Sequence, residues 1–216
     1  MFEQDYGALR KRMVEEQMRA RGISDPRVLA ALEKAPRHRF VKPGDERLAH
    51  EDYPLPIGHG QTISQPYIVA LMSELLQLQG QERVLEIGAG SGYQSAVLAE
   101  LGRSVIAVER CSELADGARR LLADLGYGNV EIVVGDGTLG WPEGAPYDAV
   151  IVTAAAPKIA DPWIAQLSDG GRLVLPLGDR WSQILTRVTK RGTETSRESF
   201  GPVAFVPLIG EHGWDS

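Results

Sequence analysis

The chain contains 216 residues with a formal net charge of −6 at neutral pH, and 43% of its residues are hydrophobic. This composition is typical of a globular protein with a sizeable core, and the acidic balance disfavours a nucleic acid as substrate. The sequence has no run of about 18 apolar residues, so we expect no membrane-spanning segment and no membrane partner. The start of the chain lacks the apolar stretch of a secretory signal, and a single cysteine fits a reducing compartment, so we expect a cytoplasmic protein.

The first 80 residues predict a helical layer and an ordered loop. Residues 9–21 predict a surface helix, and Asp25-Pro26 predicts the start of a second helix. Residues 43–63 are rich in Gly, Pro and His but contain apolar side chains, which favours an ordered loop. A third helix is expected to begin at residues 64–66 and to carry a core-facing apolar stripe. That stripe comprises Ile68, Leu71, Met72, Leu75 and Leu76. We expect this layer to lean on the carboxyl edge of a sheet.

From residue 83 onward, apolar strand patterns alternate with helical patterns. This alternation predicts an α/β fold with a central, mostly parallel sheet and helices on both faces. The strand candidates are residues 83–87, 104–109, 130–134, 148–153 and 172–176, and the helix candidates are residues 92–101, 112–125 and 158–167. Residues 183–191 and 203–208 resemble further strands, which we expect to close one edge antiparallel.

A glycine-rich loop follows the first strand of this sheet. The sequence Val-Leu-Glu-Ile-Gly-Ala-Gly-Ser-Gly at residues 84–92 reads as a buried strand, a glycine loop and the start of a helix. Such a loop lets backbone N–H groups approach a nucleotide-like ligand, although a plain tight turn is the structural alternative. The dinucleotide pattern G-x-G-x-x-G would need glycine at position 93, which is Tyr93 here. The G-x-G-x-G spacing therefore indicates S-adenosylmethionine rather than NAD.

The residues around this loop predict how such a cofactor is held. Gly88 and Gly90 allow the main chain to lie against its methionine part, and Glu86 is a candidate partner for its ammonium, directly or through water. Glu109 ends the next strand, where a carboxylate can accept hydrogen bonds from both ribose hydroxyls. The structural alternative for Glu109 is a solvated strand end.

A third strand ends at Gly135-Asp136-Gly137. The Asp136 carboxylate can accept a hydrogen bond from an exocyclic adenine amine, while Gly137 leaves room for the ring. By itself, Asp-Gly is a common turn, so this prediction depends on the place of the sequence one strand after Glu109. After the fourth strand, residues 153–157 are small enough to let a methyl donor and its acceptor meet closely.

One segment before the sheet carries a family resemblance. Residues 54–66, Pro-Leu-Pro-Ile-Gly-His-Gly-Gln-Thr-Ile-Ser-Gln-Pro, strongly resemble the protein-L-isoaspartate O-methyltransferase family, together with the glycine loop and residues 135–137, 147–157 and 170–176. The G-x-G-Q-T-I-S-x-P run is specific to that family, whereas many methyltransferases share the glycine loop. The similarity extends from about Arg10 to Leu208.

The resemblance implies methyl transfer from S-adenosylmethionine to the α-carboxylate of L-isoaspartyl residues, and more weakly D-aspartyl residues, in damaged proteins and peptides. The ester then collapses to a succinimide, and hydrolysis restores some normal aspartate. Ser64 matches the active-site serine. The implied cofactor residues are Thr62, Ile63, Glu86, Gly88, Ala89, Gly90, Glu109, Arg110, Asp136 and Gly137, and the implied substrate-cleft residues are Ile57, His59, Thr62, Ser64 and Val206. Some members have serine at the position of Ala89 and aspartate at that of Glu109.

On this interpretation, residues 1–216 form one Rossmann-like class I methyltransferase domain, which we expect to be a monomer. Residues 1–80 supply the N-terminal helical layer and substrate loop, residues 81–177 the cofactor-binding core, and residues 178–216 the C-terminal edge strands.

The expected chemistry needs little machinery. A carboxylic acid with a pKa near 4 is already ionised at neutral pH, so no general base is required. The neutral Ser64 hydroxyl can orient one carboxylate oxygen without a positive charge that would weaken the nucleophile. The structural alternative for Ser64 is an N-cap before Pro66.

Other readings are less consistent with the residues. A hydrolase triad of His59 and Ser64 lacks the G-x-S-x-G turn, and four dispersed histidines with one cysteine predict no metal site. A methyltransferase for RNA amines would carry a [DN]-P-P-[YF] motif where residues 153–157 read Thr-Ala-Ala-Ala-Pro. A binding module without activity would not need the glycine loop together with Glu109, Asp136 and Ser64.

Overall fold

Strands and helices alternate through most of this computed structural model, which describes residues 5–215. The strands are β1 (Leu55–Gly58), β2 (Gln61–Ile63), β3 (Arg83–Ile87), β4 (Ser104–Glu109), β5 (Val130–Val134), β6 (Tyr147–Val152), β7 (Leu167–Gly178), β8 (Gln183–Arg191) and β9 (Glu194–Val203). The α-helices are α1 (Tyr6–Met13), α2 (Pro26–Lys34), α3 (Pro66–Leu75), α4 (Tyr93–Leu101), α5 (Ser112–Asp124) and α6 (Asp161–Gln166). None of the helices within residues 5–215 is both long enough and apolar enough to span a membrane.

Seven of the strands form one sheet in the order β5-β4-β3-β6-β7-β8-β9. Strands β3 to β7 run parallel, whereas β8 and β9 extend the sheet antiparallel. The chain progresses outward from β3 toward β5 and then returns to the other side of β3 with β6. In such sheets a ligand binds at the carboxyl ends of the two strands where the order reverses, which are β3 and β6 here.

Alternating side chains along the strands build a core on each face of the sheet. Val84, Ile151 and Val174 join the core formed with helices α1 to α5. Their neighbours on the opposite face join a second core with the fully buried Trp163 of α6. Because β6 and β7 are covered on both sides, residues 149–152 and 173–177 within them are continuously apolar. The predicted α/β fold, with a mostly parallel sheet and helices on both faces, is confirmed.

The N-terminal helices lie on one face of the sheet rather than on its carboxyl edge as expected. Helix α2 packs on α3 and α4, and α3 also contacts β7. The predicted helix over residues 9–21 is α1 continued by a π-helical turn and a 3-10 turn, with Met13, Val14 and Met18 buried. Within the described part of this layer, the carboxyl edge is reached by the antiparallel hairpin of β1 and β2, which lies inside the predicted loop, and by residues next to it.

The predicted strand over residues 203–208 is wrong. The edge strand β9 precedes it, and its side chains are mostly exposed and polar, so it lacks the apolar signal of a buried strand. Residues 204–208 leave the sheet and run beside the end of β6. There the Ala155 N–H donates to the Val206 carbonyl and the Leu208 N–H donates to the Ala155 carbonyl, both at 2.8 Å. Helix α6 is also shorter than expected, since it begins only at Asp161-Pro162.

Helix α4 packs between the sheet and the N-terminal helices. Its core side chains should therefore contribute strongly to the free energy of unfolding. Leu98 is fully buried in α4, and we expect Leu98→Ala to lower the free energy of unfolding by roughly 2–5 kcal/mol through the cavity it leaves. The control is Leu48→Ala, because Leu48 is 41% exposed, and there we expect a change within about 0.5 kcal/mol. Urea denaturation measures both, and equal losses would contradict this account of the core.

Candidate active site

The glycine loop is fastened to the end of β6 by one side chain. The Thr153 hydroxyl donates to the Gly88 carbonyl at 2.6 Å and lies 2.9 Å from the Ile87 carbonyl. Gly88 has φ +96°, and a Cβ there would lie 2.5 Å from Thr153 Oγ1. Only glycine therefore permits this close approach, which holds the loop between the carboxyl ends of β3 and β6.

The Glu109 carboxylate ties the same loop to the start of α5. Its Oε2 accepts a hydrogen bond from the Gly90 N–H and its Oε1 accepts one from the Cys111 N–H, both at 2.9 Å. Each carboxylate oxygen has a further lone pair, so Glu109 can also accept hydrogen bonds from a pair of hydroxyls. The solvated-strand-end alternative does not describe this side chain, which is only 6% exposed.

Three adjoining cavities surround these groups. The distal pocket has a volume of about 280 Å³, and its walls include His59, Glu109, Arg110, Cys111, Gly137 and Leu208. The proximal pocket lies over the glycine loop, and its walls include Ile63, Gly88, Ala89, Gly90, Tyr93 and Gln94. The open cleft has a volume of about 800 Å³, and its walls include Pro54, Ile68, Trp181, Pro202, Phe205 and Val206.

The shared walls show how the cavities connect. Gly88, Glu109 and Ala154 line both the distal and the proximal pocket. A second group lines both the proximal pocket and the open cleft, and it consists of Thr62, Ser64, Thr153 and Val206. The two pockets together fit an elongated ligand with a nucleoside at one end and an amino-acid tail at the other. S-adenosylmethionine has this form, and its methionine end would then adjoin the open cleft.

Gly137, rather than Asp136, forms the wall of the distal pocket. A Cβ on Gly137 would lie 2.5 Å from Ile87 Cγ2, so only glycine fits beside β3. The Asp136 carboxylate accepts hydrogen bonds from the Thr138 N–H at 2.9 Å and the Glu211 N–H at 2.8 Å. It thereby holds the C-terminal segment in place, and its expected contact with an adenine amine stays a prediction.

Glu86 lies behind the glycine loop instead of in a cavity wall. Its side chain is fully buried, and Oε2 accepts a hydrogen bond from the Ser95 hydroxyl at 2.5 Å. Oε1 has no hydrogen-bond partner among the described residues. Burial raises the pKa of Glu86 to about 8, against the Ser95 hydrogen bond that lowers it, and the nearby Glu109 charge raises it further. The Glu86 carboxyl group is therefore shielded by its surroundings in this structure, and its predicted contact with a cofactor ammonium stays a prediction.

A buried arginine positions Ser64. Arg37 Nη2 donates to the Ser64 carbonyl at 2.7 Å and Nε donates to the Ala49 carbonyl at 2.6 Å. The guanidinium also lies 4.7 Å from the centroid of the Tyr93 ring, and burial lowers the pKa of Arg37 to about 10. Arg37 therefore fixes the backbone of Ser64 relative to helix α4.

The side chain of Ser64 remains available for a ligand. The N-cap of α3 is Gln65, which makes no side-chain capping bond, so the alternative that Ser64 is a helix cap is wrong. Ser64 is half-buried and lines both the proximal pocket and the open cleft. The described residues that line the open cleft carry no charged side chain.

Two residues expected in the substrate cleft lie on the other side of the hairpin. Ile57 approaches the glycine loop, where its Cδ1 would be 3.3 Å from a Cβ on Gly90. His59 lines the distal pocket beside Cys111 rather than the open cleft. The hairpin turn directs its tip away from Thr62 and Ser64, and the roles of Ile57 and His59 toward the substrate stay predictions. Val206 does line the open cleft, held there by its bond to Ala155.

Sequence reasoning missed three residues of the site. Arg37 carries no signal that separates it from the neighbouring arginines, since its role depends on contacts with distant carbonyls. The sequence of residues 153–157 indicates that Thr153 is small, but not that its hydroxyl bonds to the glycine loop. Trp181 lines the open cleft and is 89% exposed, and an aromatic residue in the polar turn between β7 and β8 was a detectable signal.

The anchoring role of Arg37 predicts a large loss of stability. Arg37→Met would leave the Ala49 and Ser64 carbonyls without their donors, so we expect the free energy of unfolding to fall by roughly 2–5 kcal/mol. Arg39→Met is the matched control, because Arg39 is exposed two residues further on, and its effect should stay within about 0.5 kcal/mol. Denaturant unfolding of both variants measures this, and an equally small effect of Arg37→Met would contradict the anchor.

The raised pKa of Glu86 predicts a pH-dependent stability. Between its ordinary value near 4.5 and its folded value of about 8, the folded chain keeps a proton that the unfolded chain releases. The free energy of unfolding contributed by this group therefore falls as the pH rises through that window. The Glu86→Gln side chain is neutral in both the folded and the unfolded state. We therefore expect the free energy of unfolding of this variant to rise relative to that of the wild type by at least about 1 kcal/mol between about pH 5.5 and about pH 8.

The measurement is urea unfolding of the cofactor-free protein across that pH range. Glu131→Gln, a change at an exposed glutamate of β5, is the control and should follow the wild type at each pH. Parallel stability curves for Glu86→Gln and the wild type would contradict the shift.

Comparisons with known proteins agree with this geometry. The family model described as Protein-L-isoaspartate(D-aspartate) O-methyltransferase matches residues 8–213. The Protein-L-isoaspartate O-methyltransferase of Methanoculleus marisnigri is 58% identical over 205 residues, which cover 95% of this chain and 93% of that protein. The protein of the same name from Syntrophus aciditrophicus is 55% identical over 208 residues, covering 95% of each chain.

Solved structures show the same architecture. A protein-L-isoaspartate O-methyltransferase structure is 30% identical with a TM-score of 0.85, covering 94% of this chain and 67% of that chain. A Plasmodium falciparum structure in complex with S-adenosyl-L-homocysteine has a TM-score of 0.81, and the match covers 93% of this chain and 98% of that chain. Its sequence is 24% identical, so this similarity concerns the fold alone. The chain belongs to the protein-L-isoaspartate (D-aspartate) O-methyltransferase family.

Proposed function

We propose that this chain performs its family's reaction where the proximal pocket meets the open cleft. The reaction transfers a methyl group from S-adenosylmethionine to the α-carboxylate of L-isoaspartyl residues in damaged proteins and peptides. We place the reaction there because four residues line both cavities, namely Thr62, Ser64, Thr153 and Val206. A donor in one cavity and an acceptor in the other can come into contact only at these residues.

The two pockets supply the groups that would hold the donor. Glu109 can accept hydrogen bonds from the ribose hydroxyls while its own position is fixed by the Gly90 and Cys111 amides. Gly88 and Gly90 let the main chain approach the methionine part, and Gly137 leaves space for the adenine ring. When bound, S-adenosylmethionine supplies a methyl group that its sulfonium makes electrophilic.

The open cleft supplies an environment suited to a carboxylate nucleophile. The substrate carboxylate is ionised at neutral pH, so the chain needs to orient it and exclude water rather than remove a proton. The Ser64 hydroxyl can donate a hydrogen bond to one carboxylate oxygen and leave the other oxygen free to attack the methyl group. Because the lining side chains are uncharged, nothing in the cleft wall neutralises the nucleophile. Orientation of this kind contributes roughly 7–11 kcal/mol in the best cases.

The apolar walls of the open cleft favour the transfer itself. The reacting charges have opposite signs and cancel as the new bond forms, so a site of low polarity costs the transition state less than it costs the separated ions. Ile68, Phe205 and Val206 provide such walls beside Ser64. The methyl ester product then forms the succinimide without further help from the chain.

We also propose that the protein acts as a monomer in the cytoplasm, on proteins rather than nucleic acids. The single cysteine supports a reducing compartment, and the net charge of −6 disfavours a nucleic acid as substrate. Size measurement in solution and cell fractionation test it.

The activity is tested with two peptides that differ only in one linkage. Labelled S-adenosylmethionine should transfer its methyl group to a peptide that contains L-isoaspartate and not to the same peptide with normal aspartate. Equal labelling of both peptides, or of neither, would contradict the proposed function.

The role of Ser64 predicts a split between turnover and cofactor affinity. We expect Ser64→Ala to lower kcat roughly 10- to 100-fold, because the acceptor carboxylate loses its orienting donor. The dissociation constant for S-adenosylhomocysteine should stay within about twofold, since Ser64 lies at the junction and is not a wall residue of the distal pocket. Ser196→Ala, at an exposed position of β9, is the control and should leave both quantities unchanged. Unchanged turnover in Ser64→Ala would assign the orientation to another group.

A further inference from the structure

The tip of the hairpin and the start of helix α5 bring three metal-binding side chain types together. One ligand atom from each of His59, Cys111 and Glu113 lies within 4.8 Å of the others. Cys111 Sγ is 3.3 Å from Glu113 Oε2. His59 and Glu113 are exposed and Cys111 is half-buried, so an ion in solution can reach all three. The long sequence separation of His59 from the other two explains why no metal spacing was visible in the sequence.

The backbone holds these residues in place. His59 has φ +52°, a left-handed conformation that is uncommon outside glycine, between Gly58 at +103° and Gly60 at +71°. Residues in such conformations cluster at functional sites, where their side chains contact ligands. On the opposite side, the Cys111 N–H is fixed by its hydrogen bond to Glu109, and Glu113 lies in the first turn of α5.

We propose that His59, Cys111 and Glu113 form a binding site for a divalent cation of the Zn²⁺ type. Imidazole nitrogen, thiolate sulfur and carboxylate oxygen are the three ligand types that zinc uses, whereas Mg²⁺ and Ca²⁺ prefer oxygen alone. Tetrahedral bonds of about 2.0–2.3 Å place ligand atoms roughly 3.3–3.6 Å apart, so rotation of exposed side chains suffices to close the cluster around an ion. Three protein ligands leave the fourth position for water.

An ion at this site would connect two walls of the distal pocket. His59 and Cys111 both line that pocket, and they belong to the hairpin and to the segment that leads into α5. A bound cation would therefore join the hairpin tip to α5 and slow the exchange of a nucleoside ligand. This consequence rests on the proposed function of the pocket, whereas the cation site itself does not.

The site is tested by titrating the full chain with Co²⁺ in the absence of cofactor. We expect one equivalent to produce a thiolate-to-cobalt charge-transfer band, and Zn²⁺ to remove it by displacement. The chain has one cysteine, so this band reports on Cys111 alone, and Cys111→Ser should abolish it. His59→Asn and Glu113→Gln should each weaken Co²⁺ binding at least about tenfold. Asparagine is chosen because it tolerates a positive φ.

Two controls separate the site from general surface binding. Asp116→Asn changes an exposed carboxylate on the same helix, and His212→Asn removes a histidine elsewhere, so both should bind Co²⁺ as the wild type does. The absence of the band in the wild type would overturn the proposal. So would a band of unchanged affinity in both His59→Asn and Glu113→Gln, since Cys111 would then bind the ion alone.

The effect on exchange is measured as the dissociation rate of S-adenosylhomocysteine with and without Zn²⁺. We expect slower release in the wild type and no Zn²⁺ effect in Cys111→Ser. A protein that binds Co²⁺ but shows the same release rate with Zn²⁺ would overturn the coupling. Failure to bind S-adenosylhomocysteine at all would contradict the proposed function, while the cobalt spectrum would still decide the cation site.

Discussion

The site depends on the Thr153 hydroxyl, which links the ends of β3 and β6, the two strands at which the strand order reverses. Thr153 follows β6, and its Oγ1 donates to the carbonyl of Gly88, which follows β3. Parallel strands bring their carboxyl ends to one edge, but they do not by themselves hold the loops beyond that edge in a fixed relation. The Thr153 bond does so, and glycine at position 88 allows it. The junction between the proximal pocket and the open cleft lies at this point.

The charges around the junction are distributed according to the ligands on each side. The donor side has the Glu109 carboxylate in its wall, which suits a cationic ligand. On the acceptor side, the lining side chains are neutral, which suits an anionic nucleophile. Arg37 is a buried cation behind Ser64, but Nε and Nη2 are directed at two backbone carbonyls. Its charge therefore supports the loop without being presented to the acceptor carboxylate.

The parts that the sequence predicted are those with strong local signals. Strands β3, β4, β5 and β8 match the expected ranges to the residue, because each combines a dense apolar pattern with polar or glycine boundaries. The glycine loop and Glu109 were likewise recognisable, since their spacing alone indicates a nucleotide-like ligand.

The missed features depend on contacts between distant residues. The exposed strand β9 is polar because it lies at the edge, whereas the apolar residues after it pack outside the sheet, so a periodicity argument assigned the strand to the wrong segment. Arg37 acquires its role from carbonyls 12 and 27 positions away. The family resemblance implies a place for His59 in the substrate cleft, whereas the hairpin turn brings its side chain near Cys111 and Glu113.

The C-terminal segment gives the enzyme a wall that both ligands share. Residues 202–206 line the open cleft, while residues 207–209 line the distal pocket, and hydrogen bonds to Ala155 hold the stretch between them. A ligand that favours one position of this stretch therefore changes the binding free energy of the other ligand, and thermodynamic linkage makes that change equal in both directions. A peptide and a nucleoside that never touch at this end of the site can thus influence one another's affinity through eight residues of backbone.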